Sequence, residues 1–114
     1  MLDWNAYHRQ ILQTLAEIGR ISPDILRGYR ALSDAGGKTS HLNAKTRELI
    51  ALAVAVTVRC DGCIVVHADA ALTHGASREE IVEALGVATA VNAGAALIYS
   101  TRVMDAVIAK QADS

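Results

Sequence analysis

The sequence predicts an all-α single domain over residues 1–114, built of about six helices and assembling into an oligomer. Three observations carry this. Apolar residues recur at three- and four-residue spacing over much of the chain, the period of a helix buried on one side. One proline and no repeat or low-complexity segment leave regular structure joined by short connections. Finally, 64 of the 114 residues are apolar when glycine is counted, above the ordinary ~45–50%. A chain of this size hides only about two-thirds of its unfolded surface, so the surplus, mostly Ala and Val, is more comfortably covered by further copies.

Trp4, Tyr7, Ile11, Leu15 and Ile18 form one apolar face, so a first helix covers residues 4–18 and stops at Gly19, read as a left-handed C-terminal cap. Ser22-Pro23-Asp24 starts a second helix: a hydroxyl cap, a proline where the missing N–H costs nothing, and an acid at the positive end of the dipole. It runs to about Asp34 and ends at Gly36-Gly37, before a polar loop over residues 38–42. Asn43 caps a third helix from Ala44, which carries Glu48 and the apolar run of residues 49–58. That run also fits a buried strand, but no other segment offers a partner for its backbone hydrogen bonds, so helix is preferred. A fourth helix starts at the cysteine pair and ends at His74-Gly75. Ser77 and Glu80 make a capping box that opens a fifth over residues 78–91. Asn92-Ala93-Gly94 breaks the pattern, and a sixth helix takes residues 95–110.

Eleven Lys and Arg against twelve Asp and Glu give a net charge of −1. No basic run or aromatic-basic patch offers a surface for nucleic acid or an anionic membrane. The apolar run of residues 49–58 is far short of the ~20 residues a bilayer span needs, and residues 81–98 are interrupted by Glu83 and Asn92. The first residues show no basic segment followed by an apolar one, so a cytoplasmic location is expected.

In a reducing compartment, Cys60-Asp61-Gly62-Cys63 points to redox or metal chemistry rather than a structural staple. Two thiols three apart at a helix start share a face within disulfide reach, and the dipole there favours a thiolate. His67 follows one turn beyond Cys63. Glu48, on the preceding helix, is the carboxylate that could orient or charge its imidazole. If the two helices turn back near Arg59, Glu48 lies about 15 Å from the turn and His67 about 12 Å at 1.5 Å per residue, while Cys60 lies at the turn. Glu48 can therefore meet His67 directly, whereas reaching the sulfurs needs a water or a tilted helix. A thioredoxin-type site would need a strand before the cysteines and a cis-proline loop after them, yet Pro23 lies upstream. A zinc site could draw on Cys60, Cys63, His67 and His74, but the histidines are seven apart and no second CxxC exists. Two buried, inert thiols are the remaining alternative. Redox exchange is preferred, with no metal or cofactor-binding residue assigned.

Residues 45–104 resemble the alkylhydroperoxidase D-like branch of the carboxymuconolactone decarboxylase family. The matching stretches are Thr46-Arg47-Glu48-Leu49-Ile50-Ala51-Leu52-Ala53, then Cys60-Asp61-Gly62-Cys63 with His67, then Gly75-Ala76-Ser77 through Glu80-Ile81-Val82-Glu83-Ala84, and Ala96-Leu97-Ile98-Tyr99. The resemblance implies an all-helical fold, a redox-active Cys60–Cys63 disulfide with no bound cofactor, and a proton relay through Glu48 and His67. It implies homo-oligomers, trimers or hexamers, that act on hydroperoxides or on the disulfide of a peroxiredoxin, with electrons from protein-bound lipoyl groups. The best-known peroxidase of the branch carries a further histidine where this chain has Gly62, which bears on peroxidase activity. The decarboxylases that name the family lack the CxxC, so lyase action on a small lactone acid is the alternative, and a non-catalytic helical oligomer a third. Tyr99 could donate a hydrogen bond into the site but fits a core or interface aromatic better, and Arg47 reads as an exposed or intersubunit charge. His8, His41 and His74 read as surface or helix-end residues, and Asp61 either opposes a thiolate or caps the helix.

Overall fold

The computed structural model describes residues 1–113, and among them every regular element is helical. Six segments follow in order: α1 (Trp4–Ile21), α2 (Pro23–Thr39), α3 (Ala44–Val58), α4 (Asp61–Thr73), α5 (Arg78–Tyr99) and α6 (Thr101–Asp113). The starts of α3 and α5 follow the expected capping chemistry, whereas Ser22 precedes Pro23 and α2 without the expected side-chain cap bond. Asn43 accepts the Thr46 N–H at 2.8 Å. Ser77 and Glu80 exchange both bonds of a capping box, at 2.9 and 3.0 Å. The apolar run of residues 49–58 is helix, ended by Arg59 in the left-handed conformation.

The ends differ from the sequence reading, and the reason is common to them. Gly19 does not cap α1, which continues to Ile21. It is a point of close approach, since a Cβ there would lie 2.6 Å from the Leu26 side chain of α2. Gly36 likewise sits inside α2, where a Cβ would meet the Arg47 side chain at 2.8 Å. The helix ends instead at left-handed Ser40, whose N–H returns to the Gly36 carbonyl. Asn92-Ala93-Gly94 does not break α5: the Asn92 amide donates to the Ala88 carbonyl at 2.8 Å and to Thr57 Oγ1 at 2.9 Å, tying α5 to α3. Only Ser100, itself right-handed helical, separates α5 from α6. Together they make one run over residues 78–113 that Asn92 does not break as expected, and a window of 18 residues within it is long and apolar enough, by length and composition only, to cross a membrane.

The packing centre is the α3–α4 hairpin with the start of α5 laid against it. Leu52, Ala71 and Ala76 form the buried cluster, flanked by Leu49, Ala68 and Ile81. Small residues let the three backbones approach closely. The α1–α2 hairpin leans on α4 chiefly through α1, Gly36 of α2 lies against the Arg47 side chain of α3, and α6 touches α5. The result is an open shape, with a radius of gyration of 19.3 Å where a compact domain of this length has about 13 Å. It exposes 8799 Å², against about 6,000 Å² for a compact monomer of its mass.

Candidate functional site: a sulfur pair beside a carboxylate–imidazole pair

Cys60 is the N-cap of α4, and its Sγ accepts the N–H of Cys63 at 3.1 Å. This is the capping role a serine would play, filled by sulfur, and it draws Cys60 and Cys63 together across one helical turn. The two are joined as a disulfide, with their Cα atoms 5.2 Å apart. Asp61, which the sequence left between two roles, is not the cap. It is an exposed first-turn acid one residue later.

Glu48 and His67 meet as the hairpin arithmetic requires. Glu48 Oε2 lies 2.6 Å from His67 Nδ1, with both side chains about three-quarters shielded from solvent. Near-equal distances from the Arg59 turn bring them level across α3 and α4. The carboxylate fixes which ring nitrogen is engaged and leaves Nε2 for proton exchange. The zinc alternative is strained by the same geometry: His74 caps the far end of α4, roughly 20 Å along the axis from Cys60.

The sulfur pair and His67, but not Glu48, border a cavity of about 380 Å³. Its floor is Cys60, Gly62, Cys63, Val66 and His67. The walls come from α1 (Ile11, Leu15, Ile18) and α2 (Ile25, Leu26, Tyr29). At Gly62, where the resemblance would have a histidine, α1 closes over the backbone, and a Cβ would stand 3.2 Å from Ile11 Cδ1. Both walls, and Val66 on the floor, are the part of the site that sequence reasoning missed. Ile25, Leu26 and Tyr29 carry helical spacing, but nothing local says which element they face.

Other singled-out residues stand elsewhere. Arg47 donates to the Leu42 carbonyl and packs on Gly36, so it is half-buried within its own chain rather than fully exposed. Tyr99 is exposed, with the Arg102 guanidinium 5.2 Å over its ring, and does not border the cavity. Trp4 and Tyr7 are half-buried and meet edge to face at 6.3 Å. His41 and His74 are exposed, and His8 is half-buried on α1.

The chain is 46% identical over 104 residues to a Haemophilus influenzae protein described as uncharacterized, covering 91% of this chain and 92% of that one. It is 36% identical over 90 residues to the uncharacterized protein 4 in the cox locus of Paracoccus denitrificans, covering 79% and 81% respectively. A crystal structure of a carboxymuconolactone decarboxylase family protein from Legionella pneumophila superposes with a TM-score of 0.74 at 35% identity, over 86% of this chain and 88% of that one. Residues 23–106, from the start of α2 to the middle of α6, match the profile of the same family. The sulfur pair and the Glu48–His67 contact both fall inside that match, on a helical scaffold of the same shape, and the chain belongs to the carboxymuconolactone decarboxylase family.

Proposed function

We propose that this chain is a dithiol oxidoreductase of the alkylhydroperoxidase-like, antioxidant kind, cycling Cys60 and Cys63 between two thiols and a disulfide. The observation that carries the reading is the sulfur pair on the first turn of α4 beside the Glu48–His67 pair. In the oxidising half, one thiolate attacks the terminal oxygen of a hydroperoxide and the O–O bond breaks. The alkoxide leaves as the alcohol on taking a proton, which His67 supplies, and the attacking sulfur becomes a sulfenic acid. The second sulfur displaces its oxygen as water and closes the Cys60–Cys63 bond. Two electrons pass from the thiols to the peroxide. In the reducing half, a dithiol such as a dihydrolipoyl group on a partner protein attacks the disulfide, forms a mixed disulfide, and leaves oxidised while both thiols return. A peroxiredoxin disulfide would be served by the same exchange in reverse. Glu48 holds the imidazole in place and offsets its charge when it carries the proton.

The working form in this reading is a homo-oligomer, a trimer or hexamer. Support comes from the roughly 2,800 Å² by which the lone chain exceeds a compact monomer. Obligate interfaces bury about 1,000–2,500 Å² on each partner, so the excess is enough for at least one such interface. A pair of thiols cycling in this way suits a reducing cytoplasm.

The test is turnover of a model hydroperoxide with a dihydrolipoyl reductant. Glu48→Gln should lower kcat by at least tenfold, the low end of what a general acid–base group supplies being larger still, and Cys63→Ser should abolish the cycle. Equal rates in wild type and both variants would overturn the reading.

A further inference from the structure

The geometry points to a specificity device: the groove between α1 and α2 binds an uncharged, linear apolar chain and reads its length, with the reactive end of that chain at the Cys60–Cys63 sulfurs. The inference rests on the redox reading above and adds the class of substrate it favours.

Three features of the groove support it. It begins at the reacting atoms, because Cys60, Cys63 and His67 form its floor. Away from that floor its walls are aliphatic apart from the Tyr29 ring, and no Arg or Lys is among its lining residues, so a carboxylate carried along the chain would find no cation there. It is also narrow at the sulfur end, where Ile11 lies against Gly62, and open further out, where Leu15 is 39% and Ile25 60% exposed. A small peroxide therefore uses the floor alone, while a longer chain also covers Leu15 and Ile25. About 380 Å³ is within the usual range for a pocket that takes a small organic molecule.

The experiment is a series of primary n-alkyl hydroperoxides of increasing length, with hydrogen peroxide as reference, followed by kcat/KM and by mass-spectrometric loss of two hydrogens per chain. Full burial of a methylene corresponds to about a fourfold gain in affinity. In this half-open groove kcat/KM should rise about two- to fourfold per added methylene until the chain outgrows the walls. Leu15→Ser and Ile25→Ser should each at least halve that slope, while Leu12→Ser, an exposed α1 position outside the groove, should keep it. Equal kcat/KM along the series, with the disulfide still forming, would overturn the groove and leave the redox reading standing. A slope that both serine variants preserve would also overturn it, since the chain would then lie elsewhere. Failure of every hydroperoxide, including hydrogen peroxide, to form the disulfide would overturn the redox reading itself.

Discussion

With one sulfur of the pair removed at a time, the two remaining thiols should differ in reactivity, and the helix predicts which is faster. Cys63→Ser leaves Cys60, whose Sγ caps α4 and accepts an N–H at 3.1 Å. A negative charge there sits on the positive end of a 13-residue helix, a position worth about 0.3–2 kcal/mol. A value of about 1.4 kcal/mol is a factor of ten in the thiolate equilibrium. An ordinary thiol is about 3% thiolate at neutral pH, and a tenfold bias raises that to roughly a quarter, about an eightfold gain. The favoured thiolate is a weaker nucleophile, by about threefold for a tenfold change in basicity, so the net advantage is roughly threefold. Second-order rates of alkylation by iodoacetamide, read by mass spectrometry at neutral pH, should therefore be about three times higher for Cys63→Ser than for Cys60→Ser. The exposed Asp61 carboxylate opposes the charge, and Asp61→Asn should widen the gap. A faster Cys60→Ser variant, with matching circular dichroism, would refute the helix-end argument and give priority to the sulfur on the His67 side.

The Lys45 ammonium, 2.7 Å from Glu80 Oε2, and then the Ser77 N–H hold the Glu80 carboxyl below its ordinary value of 4.5. A depressed carboxyl contributes stability that is complete above the unfolded value and is lost as pH falls through the folded one. Lys45→Ala should therefore melt with less added acid sensitivity below about pH 4.5 than wild type, and an unchanged pH profile would contradict the pairing. Asn92→Ala removes the one hydrogen bond that joins α5 to α3 together with a bond back to Ala88 within α5, and should cost about 1 kcal/mol in urea unfolding. Val103→Asp places a charge on an exposed apolar position of α6, and sedimentation should shift toward the single chain. Wild type sedimenting as a single chain at micromolar concentration would contradict the oligomer. Gly62→His pushes against Ile11 Cδ1 and should destabilise by about 1–3 kcal/mol, with Ile11→Ala in the same chain recovering part of the loss.

What could be read from the sequence is what depends on near neighbours along the chain. The starts of α3 and α5 follow from capping chemistry at Asn43 and Ser77, which acts over three residues, while the cap of α4 is the Cys60 sulfur rather than Asp61. Level placement of Glu48 and His67 follows from counting residues out from one turn. The errors lie where one residue type has two uses. Gly19 and Gly36 were read as places where the chain changes direction, whereas they are places where another side chain needs the room of a missing Cβ. Asn92-Ala93-Gly94 was read as a break, yet the Asn92 amide, which could compete with the backbone, finds Thr57 35 residues away and the helix stays whole. The α2 wall is non-local in the same sense, since Leu26 meets α1 only after the chain has turned back on itself.

A division of labour follows from where the packing lies. The sulfurs, Glu48 and His67 all stand on the α3–α4 hairpin, which also carries Leu52 at 4% and Ala71 at 0% exposure and so holds the chain's buried centre. In the proposed dithiol cycle an acid–base pair held at 2.6 Å uses that rigidity, because small displacements of such a pair would cost rate steeply. The α1–α2 hairpin touches this centre mainly through α1, with Gly36 of α2 against Arg47, and most of its apolar side chains stay accessible. Substitutions there can change which molecule reaches the sulfurs without moving the Glu48–His67 pair. The α5–α6 run is the third part, anchored near Ala76, Ile81 and Asn92 and bare beyond them. Its exposed Leu97, Ile98, Val103 and Val107 are costly to leave in water, and covering them by another copy would add stability without touching the site. Pocket substitutions should therefore alter substrate preference at constant subunit number, and α6 substitutions should alter subunit number at nearly constant chemistry per thiol pair. A Val103→Asp chain that sediments alone yet forms its disulfide at the wild-type rate would establish that independence, and loss of the disulfide reaction on dissociation would refute it.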